Sequence, residues 1–591
     1  MRVLGIEGTA WCASAALYDT ETDTTRIESN PYEPESGGIH PREAAEHMAD
    51  AIPEVIDTVL STVDPAGSGI GVDAVAFSRG PGLGPCLRVV GTAARALAGT
   101  LDVPLVGVNH MVAHLEVGRH QSGFENPVCL NASGANAHLL GYHDGRYRIL
   151  GETMDAGVGN AIDKFTRHVG WNHPGGPKVE AAAAEATSGP NDGDLLDLPY
   201  VVKGMDFSFS GISSAANDAY DDGEPVEEIC FSLQEHVFGT LTEVSERALS
   251  LTGADELVLG GGVGQNDRLR EMLETMCESR GASFYAPDPA YLRDNAGMIA
   301  ILGAKMAVAG DTLRIAESSI DPNFRPDDVP VTWRDDTSSV VYGTTSDCRG
   351  AEAVIDFIPG AAEGDSGGSD GGSTGRFGDL DEQGDRVRKR RVPKRYRHPA
   401  LDRSLRRDRT VSEARLTNES RRAGVPTPLV HDVDVLEGTI TLQFVGDRDL
   451  AADIAEPNND GDRSDRDESG GSGGGTGAGD ASRTIRTVGA YLARLHRAGI
   501  VHGDPTTRNV RVGRTDGQRR SEPVLIDFGL GYHSGHVEDH AMDLHVFEGS
   551  VNATATDPNP LIEAFEEGYR SVGEEVVLDR LGEIRGRGRY R

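Results

Sequence analysis

The apolar positions in the first half of the chain repeat a pattern. RVLGIEG, WCASAALYD and TRIES near the N-terminus read as strand, Gly turn, strand, strand, and after residue 127 PVCLNASG, NAHLLGYHD and RYRILGE read in the same order. Each triplet leads into apolar residues at helical spacing. The first precedes REAAEHMADAIPEVIDTVL (42–60); the second precedes NAIDKFTRHVG and then VEEICFSLQEHVFGTLTEVSERAL (226–249). A duplicated strand-strand-strand-helix unit predicts two similar lobes with a cleft between them. Residues 340–591 have another rhythm, with short strands carrying basic residues to about 445 and a helix-rich part from RTIRTVGAYLARLHRAG (483–499). That pattern predicts a small β lobe and a larger α lobe, so the fold class is α/β in two successive two-lobe domains.

Two stretches interrupt both rhythms. Residues 360–385 and 456–480 are rich in Gly, Ser and Asp, have almost nothing to bury, and are expected to be solvated inserts within the second domain. RPDDVPVTWRDDTSS at 325–339 has prolines and acids but little periodicity. The domains are therefore expected at 1–325 and 340–591, with 326–339 as a linker.

Composition narrows the setting. Against 57 Lys+Arg stand 94 Asp+Glu, a net charge of −37, and only six of the bases are lysine. An acidic, Lys-poor surface suits a salty cytoplasm, where screening shortens to about 3 Å at 1 M, so a polyanionic partner must be held by local contacts. Six cysteines without a CxxC pair (Cys12, Cys86, Cys129, Cys230, Cys277 and Cys348) argue against a zinc knuckle or a disulfide framework and point to a reducing cytosol. No uncharged apolar run reaches the roughly 18 residues of a spanning helix, so no membrane role is expected.

His110 and His114 in NHMVAHLEVG lie four apart, which on a helix puts both imidazoles on one face, a spacing that suits one metal ion but is also common in packing. Met111 stands where a zincin-type peptidase needs its glutamate, which disfavours a metallopeptidase. LVLGGGVGQN (257–266) and NASGANAHL (131–139) are strands entering Gly turns, each able to bring backbone N–H groups to a phosphate or simply to turn. HPGGPKVE (173–180) is a rigid turn before a helix whose first turn is expected to carry Glu180.

In the second region, VHGDPTTRNV (501–510) followed by VLIDFGLG (524–531) carries the D-x-x-x-x-N and DFG pieces of a kinase centre. Asp504 would accept a hydroxyl proton or orient water, and Asn509 and Asp527 would supply oxygens to Mg²⁺. The ATP lysine is expected at Lys389 on a strand, with Lys394 as the less favoured candidate and Glu413 as its ion-pair partner. Gly503 stands in place of the arginine that anchors a phosphorylated activation loop, and no APE segment follows. Twelve Arg/Lys residues occupy 386–409, and Arg585, Arg587, Arg589 and Arg591 end the chain. These clusters are read as contacts for the phosphates of a polyanionic partner or, more blandly, as small-lobe solvation and pairing with the acidic inserts.

Taken in order, VLGIEGTA, GGIHPREAAEH, FSRGPGLGPCLRVV, VNHMVAHLE, GNAIDKFTR, HPGGPKVE, MDFSFSGISSA, LGGGVGQN and LRDNAGMIA resemble the catalytic subunit of the KEOPS complex, a tRNA threonylcarbamoyltransferase of the actin/Hsp70/sugar-kinase (ASKHA) fold. RGAEAVI, KRYRHPALD, RTVSEARL, HGDPTTRN, LIDFGL, VEDHAMDL and IRGRGRYR resemble the small RIO-like kinase/ATPase subunit of the same complex, an atypical protein-kinase fold.

The resemblance implies transfer of threonylcarbamoyl from threonylcarbamoyl-AMP to N6 of the adenosine beside the anticodon, on tRNA decoding ANN codons. It implies one divalent metal, Fe or alternatively Zn, on His110, His114 and Asp294, with Asn131 a further candidate. Substrate would lie against Asn131, Ala132, Ser133, Gly134, Ala135, Asp163, Gly176, Glu180 and Asn266. Mg-ATP would lie in the second domain against Lys389, Glu413, Asn509, Asp527 and a covering loop of Asp347, Cys348, Arg349, Gly350, Ala351, Glu352, Ala353, Val354 and Ile355. Other small KEOPS subunits are implied partners, and the cytoplasm the location. Two positions depart from the family. Asn131 replaces its tyrosine ligand, and Ala135 replaces a glycine of SGGN. The competing reading is a signalling Ser/Thr kinase with a non-catalytic actin-like module, which would phosphorylate unrelated proteins and leave tRNA untouched.

Overall fold

The computed structural model describes residues 1–32, 39–63, 71–134, 136–143, 145–191, 193–334, 351–359, 385–455, 477–513 and 522–585. They form two units, one from Met1–Val341 with Arg395–Pro399, the other chiefly from Ala400–Arg585 with the strands before Lys394.

Unit 1 begins with β1 (Arg2–Glu7), β2 (Cys12–Asp19), β3 (Thr24–Pro31), α1 (Pro41–Val63), β4 (Ala74–Gly80), α2 (Gly84–Leu101), β5 (Leu105–Asn109) and α3 (His110–Ser122). It continues with β6 (Val128–Ala132), β7 (Ala137–His143), β8 (Arg146–Glu152), α4 (Val158–His168), α5 (Gly176–Ala183), β9 (Val201–Lys203), β10 (Asp206–Ser208), α6 (Ser210–Asp221) and α7 (Val226–Thr252). It closes with β11 (Glu256–Gly260), α8 (Asp267–Arg280), β12 (Ser283–Tyr285), α9 (Pro289–Leu292) and α10 (Ala296–Val308).

The duplication expected from the strand triplets is present in the sheets. One has the order β3-β2-β1-β4-β5 and the other β8-β7-β6-β11-β12. In each, the triplet pairs antiparallel and its first strand pairs parallel to a later one, β1 with β4 and β6 with β11. Parallel pairing requires a crossover, which α1 and the long helical run of α4 to α7 supply. Both faces of β1 and β6 are covered, so their residues form near-continuous buried runs instead of alternating ones.

Helix α10 is almost wholly buried and lies against β1. Contact this close needs a residue without Cβ: one built on Gly5 would stand 2.4 Å from the Ala296 carbonyl oxygen and 2.8 Å from the Ala300 nitrogen. Gly5→Ala should therefore force α10 outward, at a cost of roughly 2 kcal/mol for overpacking, read as a fall of several degrees in the melting temperature of the full chain in molar salt. An unchanged melt would mean that α10 is free to shift.

Residues 326–334, expected to be linker, pack onto unit 1. Val329 is buried, Trp333 stacks on Tyr147 with ring centroids 6.4 Å apart, and the Arg334 guanidinium sits 3.8 Å from the Tyr142 ring centre. The apolar residues of VPVTW are too few for a periodic signal, yet enough to cover one edge of a core.

Unit 2 has β13 (Ala353–Ile358), β14 (Arg386–Arg391), α11 (Pro399–Arg422), β15 (Val430–Asp434) and β16 (Thr439–Gln443), the four strands forming one antiparallel sheet in the order β13-β14-β16-β15. Then follow β17 (Arg448–Asp449), α12 (Leu450–Ala455), α13 (Gly477–Arg497), β18 (Ile500–Val501), β19 (Val510–Val512), β20 (Val524–Leu525), β21 (Tyr532–His533), α14 (Val537–Thr554), α15 (Asn559–Arg570) and α16 (Glu575–Arg585). Helix α13 starts at Gly477, so the last residues of the second Gly-rich insert are helical. Residues 360–384 and 456–476 of the inserts lie outside the described residues. Among the described residues no helix is long and apolar enough to cross a membrane.

Candidate functional site

Asn109, at the end of β5, accepts hydrogen bonds on its side-chain oxygen from the Met111 and Val112 amides at 3.0 and 3.1 Å and so starts α3 at His110. The helix is buried from His110 through Gly118, which fixes both imidazoles within the interior. Their rings meet edge to face with centroids 4.9 Å apart. Asp294 arrives from a distant segment, just before α10. Asn295 anchors that approach, capping Met298 at 3.1 Å, while the Ala296 amide donates to the Ser14 hydroxyl at 3.1 Å.

The outcome is a three-ligand cluster. Asp294 Oδ1 lies 3.3 Å from His110 Nε2 and 3.5 Å from His114 Nε2, and one donor atom from each residue falls within 4.8 Å of the others. Neither His114 nitrogen makes a hydrogen bond, although both are buried. A buried Nε2 without a hydrogen bond, facing a carboxylate, is costly in a protein interior and is what a cation would satisfy. The residues present therefore fit a divalent metal.

Behind His110 stands Glu7, fully buried at the end of β1. Its Oε2 is 3.2 Å from His110 Nδ1, and its Oε1 accepts from the Thr9 amide at 2.8 Å. Burial pulls the His110 imidazole down, but the Glu7 and Asp294 carboxylates outweigh it and raise its pKa to about 10 in the metal-free chain. Burial pushes His114 down, with His110 adding to the effect. Asp294 would be raised by burial, yet the two imidazoles hold it well below the usual carboxylate range. The nearby Cys12 thiol is pushed up to about 12 by burial and by Asp294 and Glu7, so it stays protonated.

Other expected binding residues surround the turns of the second half of unit 1. Asn131 and Ala132 end β6 and are buried. Ser133 closes the following turn, its hydroxyl donating to the Asn136 carbonyl at 2.9 Å and accepting from the Asn136 amide at 3.1 Å. Gly134 accepts from the Asn160 amide at 2.9 Å, tying the turn to α4; Ala135 lies outside the described residues. Asp163 on α4 accepts from the Gly175 amide at 2.7 Å and sits 2.9 Å from His173 Nδ1, which sets the entry to α5. The positions where a Cβ would stand on Gly134 and Gly176 are open space, as a site for a ligand requires.

Glu180 lies one turn into α5, not in its first turn, because Pro177 allows the helix to begin at Gly176. From there its carboxylate accepts from the Asp267 amide at 3.0 Å. The Asn266 side chain is occupied, capping the Arg268 and Leu269 amides of α8 at 3.0 and 3.2 Å and donating to Gln234 at 3.0 Å.

In unit 2, Lys389 on β14 is buried, with Nζ 3.0 and 3.1 Å from the Glu413 oxygens and 2.6 Å from Asp527 Oδ1. Lys394, the other candidate, instead donates to the Ala351 carbonyl. Asp527 would be raised by burial, but Lys389 and Arg391 hold it below the usual range, and its backbone is left-handed at φ 64°. Asn509 donates to the Asp504 carbonyl at 2.8 Å and to its carboxylate at 3.2 Å. Gly503 has φ 81°, and a Cβ there would stand 2.2 Å from the Leu530 carbonyl oxygen, so no arginine fits that position in this backbone. Of the covering loop, Asp347 to Gly350 lie outside the described residues. Glu352 pairs with Arg409, and Ala353 to Ile355 form the strand beside Lys389.

Only part of the basic run lies open at the surface. Lys389, Arg391, Arg397 and Arg409 are buried, and Arg391 pairs with Glu413, Arg397 with Glu243 and Arg409 with Glu352. Arg388, Arg390, Arg395, Arg403 and Arg407 remain exposed. At the C-terminus Arg585 pairs with Glu548 and Glu566, and Arg587, Arg589 and Arg591 lie outside the described residues.

Four residues escaped sequence reading. Glu7 is an acid inside a buried strand, a signal visible in RVLGIEG. Asp543 receives the His502 and Gly503 amides at 2.9 and 2.8 Å, and it stands within a quoted motif without having been singled out. Arg391 was counted only as part of a charge run. His138 is buried beside Asn131, inside the quoted NASGANAHL stretch, without having been singled out.

The family model for tRNA N6-adenosine threonylcarbamoyltransferase matches residues 23–301. Over its whole length the chain is 60% identical to a protein of Haloquadratum walsbyi named "Probable bifunctional tRNA threonylcarbamoyladenosine biosynthesis protein", all of which is covered. It is equally similar, at 60%, to the protein of that name from Halobacterium salinarum, and 46% identical to that from Methanospirillum hungatei, with all of this chain and 99% of each relative covered.

Proposed function

The chain belongs to the family of bifunctional tRNA threonylcarbamoyladenosine biosynthesis proteins and is a tRNA N6-adenosine threonylcarbamoyltransferase; from that premise we propose that threonylcarbamoyl-AMP is the donor and that unit 1 carries the transfer at His110, His114 and Asp294. The convergence of these three side chains from α3 and from the approach to α10 is the observation that carries this reading. It takes residues 1–325 as a two-lobe ASKHA domain and 340–591 as a kinase-like ATPase that serves the transferase.

The donor is a mixed anhydride, already activated. The protein's work is to position a weakly nucleophilic exocyclic amine and to stabilise charge on the acyl oxygen and the departing phosphate. The turn at Ser133 and Gly134, the start of α5 at Gly176, and the carboxylates of Asp163 and Glu180 that fix the starts of α5 and α8 offer rigid backbone donors and open space for a nucleotide-like ligand. His110 and His114 offer Nε2 and Asp294 a carboxylate oxygen to one metal ion, which when bound supplies Lewis-acid stabilisation of that charge. A set of two imidazoles and a carboxylate suits Fe or Zn. Glu7, holding His110 Nδ1, keeps Nε2 turned toward Asp294.

In unit 2, Lys389, held by Glu413, would pair with ATP phosphates, Asn509 and Asp527 would hold Mg²⁺, and Asp504 would orient the attacking water or hydroxyl. The exposed arginines of 388–407 would contact tRNA decoding ANN codons, small KEOPS subunits would be partners, and the cytoplasm the location.

The test is direct. Purified full-length chain, in molar salt with an ANN-decoding tRNA and threonylcarbamoyl-AMP, should yield N6-threonylcarbamoyladenosine by nucleoside mass spectrometry. Transfer from another donor with none from this one would reject the donor assignment. Phosphorylation of many unrelated proteins without tRNA modification would favour the signalling-kinase reading.

A further inference from the structure

Beside the three metal-ligating residues lies a second group of buried polar atoms without partners. Asn131 is 4% exposed and His138 1%, and they face each other across β6 and β7, where Asn131 pairs with His138 in register. Asn131 Nδ2 stands 3.4 Å from His138 Nε2. Asn131 Oδ1 and His138 Nδ1 make no hydrogen bond, as neither nitrogen of His114 does. A Cβ built on Gly260 would lie 3.4 Å from His114 Cβ and 3.5 Å from Asn131 Oδ1, so the histidine and the amide oxygen border the same spot.

We propose that His138 is a positioning residue of the metal centre, acting through Asn131: His138 Nε2 accepts one amide hydrogen and so commits the amide oxygen to the cation held by His110, His114 and Asp294. The inference rests on the metal-centre reading above. An asparagine amide is ambivalent, because it can present either oxygen or NH₂ to a neighbour, and only the oxygen can face a cation. The tautomer of His138 decides between them. With Nε2 unprotonated, the ring accepts from NH₂ and leaves the oxygen for the metal. With Nε2 protonated, the ring would claim the oxygen and turn NH₂ toward the metal. Among the described residues no carboxylate hydrogen-bonds to His138, so nothing but the amide and the cation selects its tautomer. Partners of metal ligands that act in this way change metal affinity by about 10 to 100-fold.

The experiment measures Zn²⁺ dissociation constants of the full-length chain by competition with a chelating dye. His138→Phe, which keeps a ring but no nitrogen, should bind Zn²⁺ about 10-fold more weakly. Asn131→Ala should lose a similar factor, and the double variant should lose no more than Asn131→Ala alone. His138→Gln, which can still accept from the amide, should recover most of the loss. Full affinity in His138→Phe, or losses that multiply in the double variant, would overturn the proposal. His110→Ala separates the two levels: if it too leaves Zn²⁺ affinity unchanged, the metal centre itself is misassigned. Long-range ¹H–¹⁵N spectra of the histidine-labelled, Zn²⁺-loaded wild type need no variant to fold. An unprotonated Nε2 on His138 is expected, and a protonated one would refute the proposal.

Discussion

His110→Ala will abolish tRNA modification by the full-length chain, with a loss of at least about a thousandfold in N6-threonylcarbamoyladenosine formed, the rate equivalent of roughly 4 kcal/mol of lost charge stabilisation. The substitution removes one of three donor groups and leaves Glu7 buried without its imidazole, so metal content should fall with activity. Elemental analysis of the dialysed variant checks the first, nucleoside mass spectrometry the second. In the wild type the same geometry predicts how the metal responds to pH. His110 keeps its proton up to about 10 in the metal-free chain, and a metal must displace that proton to reach Nε2. Apparent affinity should therefore rise about tenfold per pH unit between pH 7 and 9 and fall as the solution is acidified. A variant that keeps both metal and product would remove the transferase site from α3.

How far the sequence discloses this site depends on the range of each interaction. Two histidines four apart are a local signal, and the helix that carries them follows from local pattern. Asp294 is not local. Its place beside them depends on α10 lying against β1 through Gly5, which only the assembled sheet decides, and the sequence offered it through resemblance alone. The basic run from 386 to 409 shows the opposite failure. Its density reads as a surface, but Arg391 and Arg409 turn inward because Glu413 and Glu352 await them, and nothing in the spacing of the bases shows where those acids lie. Glu180 was misplaced for a simpler reason. Pro177 permits the helix to start before it, which moves the glutamate into the second turn and within reach of α8. The duplicated strand triplets were the most legible feature, since strand pattern and order survive in both halves and the two sheets repeat them strand for strand.

Asp527→Asn should cost about a hundredfold or more in ATP hydrolysis while leaving the metal content of unit 1 unchanged. The amide keeps nearly the size of the carboxylate, and asparagine tolerates the left-handed backbone that residue 527 adopts at φ 64°, so the fold should hold. What disappears is charge. Asp527 is the partner that draws Lys389 away from exclusive pairing with Glu413, with contacts at 2.6 Å on one side and 3.0 Å on the other. Neutralising it leaves the lysine to Glu413, which also holds Arg391, and removes the anionic oxygen a Mg²⁺ ion would need. ATP hydrolysis measured by phosphate release should collapse, and a thermal melt close to that of the wild type should show that the collapse is chemical. The comparison with His110→Ala then becomes decisive. If the two variants fail independently, one losing metal and the other ATP turnover, the chain carries two chemistries with separate residues. If Asp527→Asn also strips metal from unit 1 while the protein stays folded, that separation of chemistries is wrong.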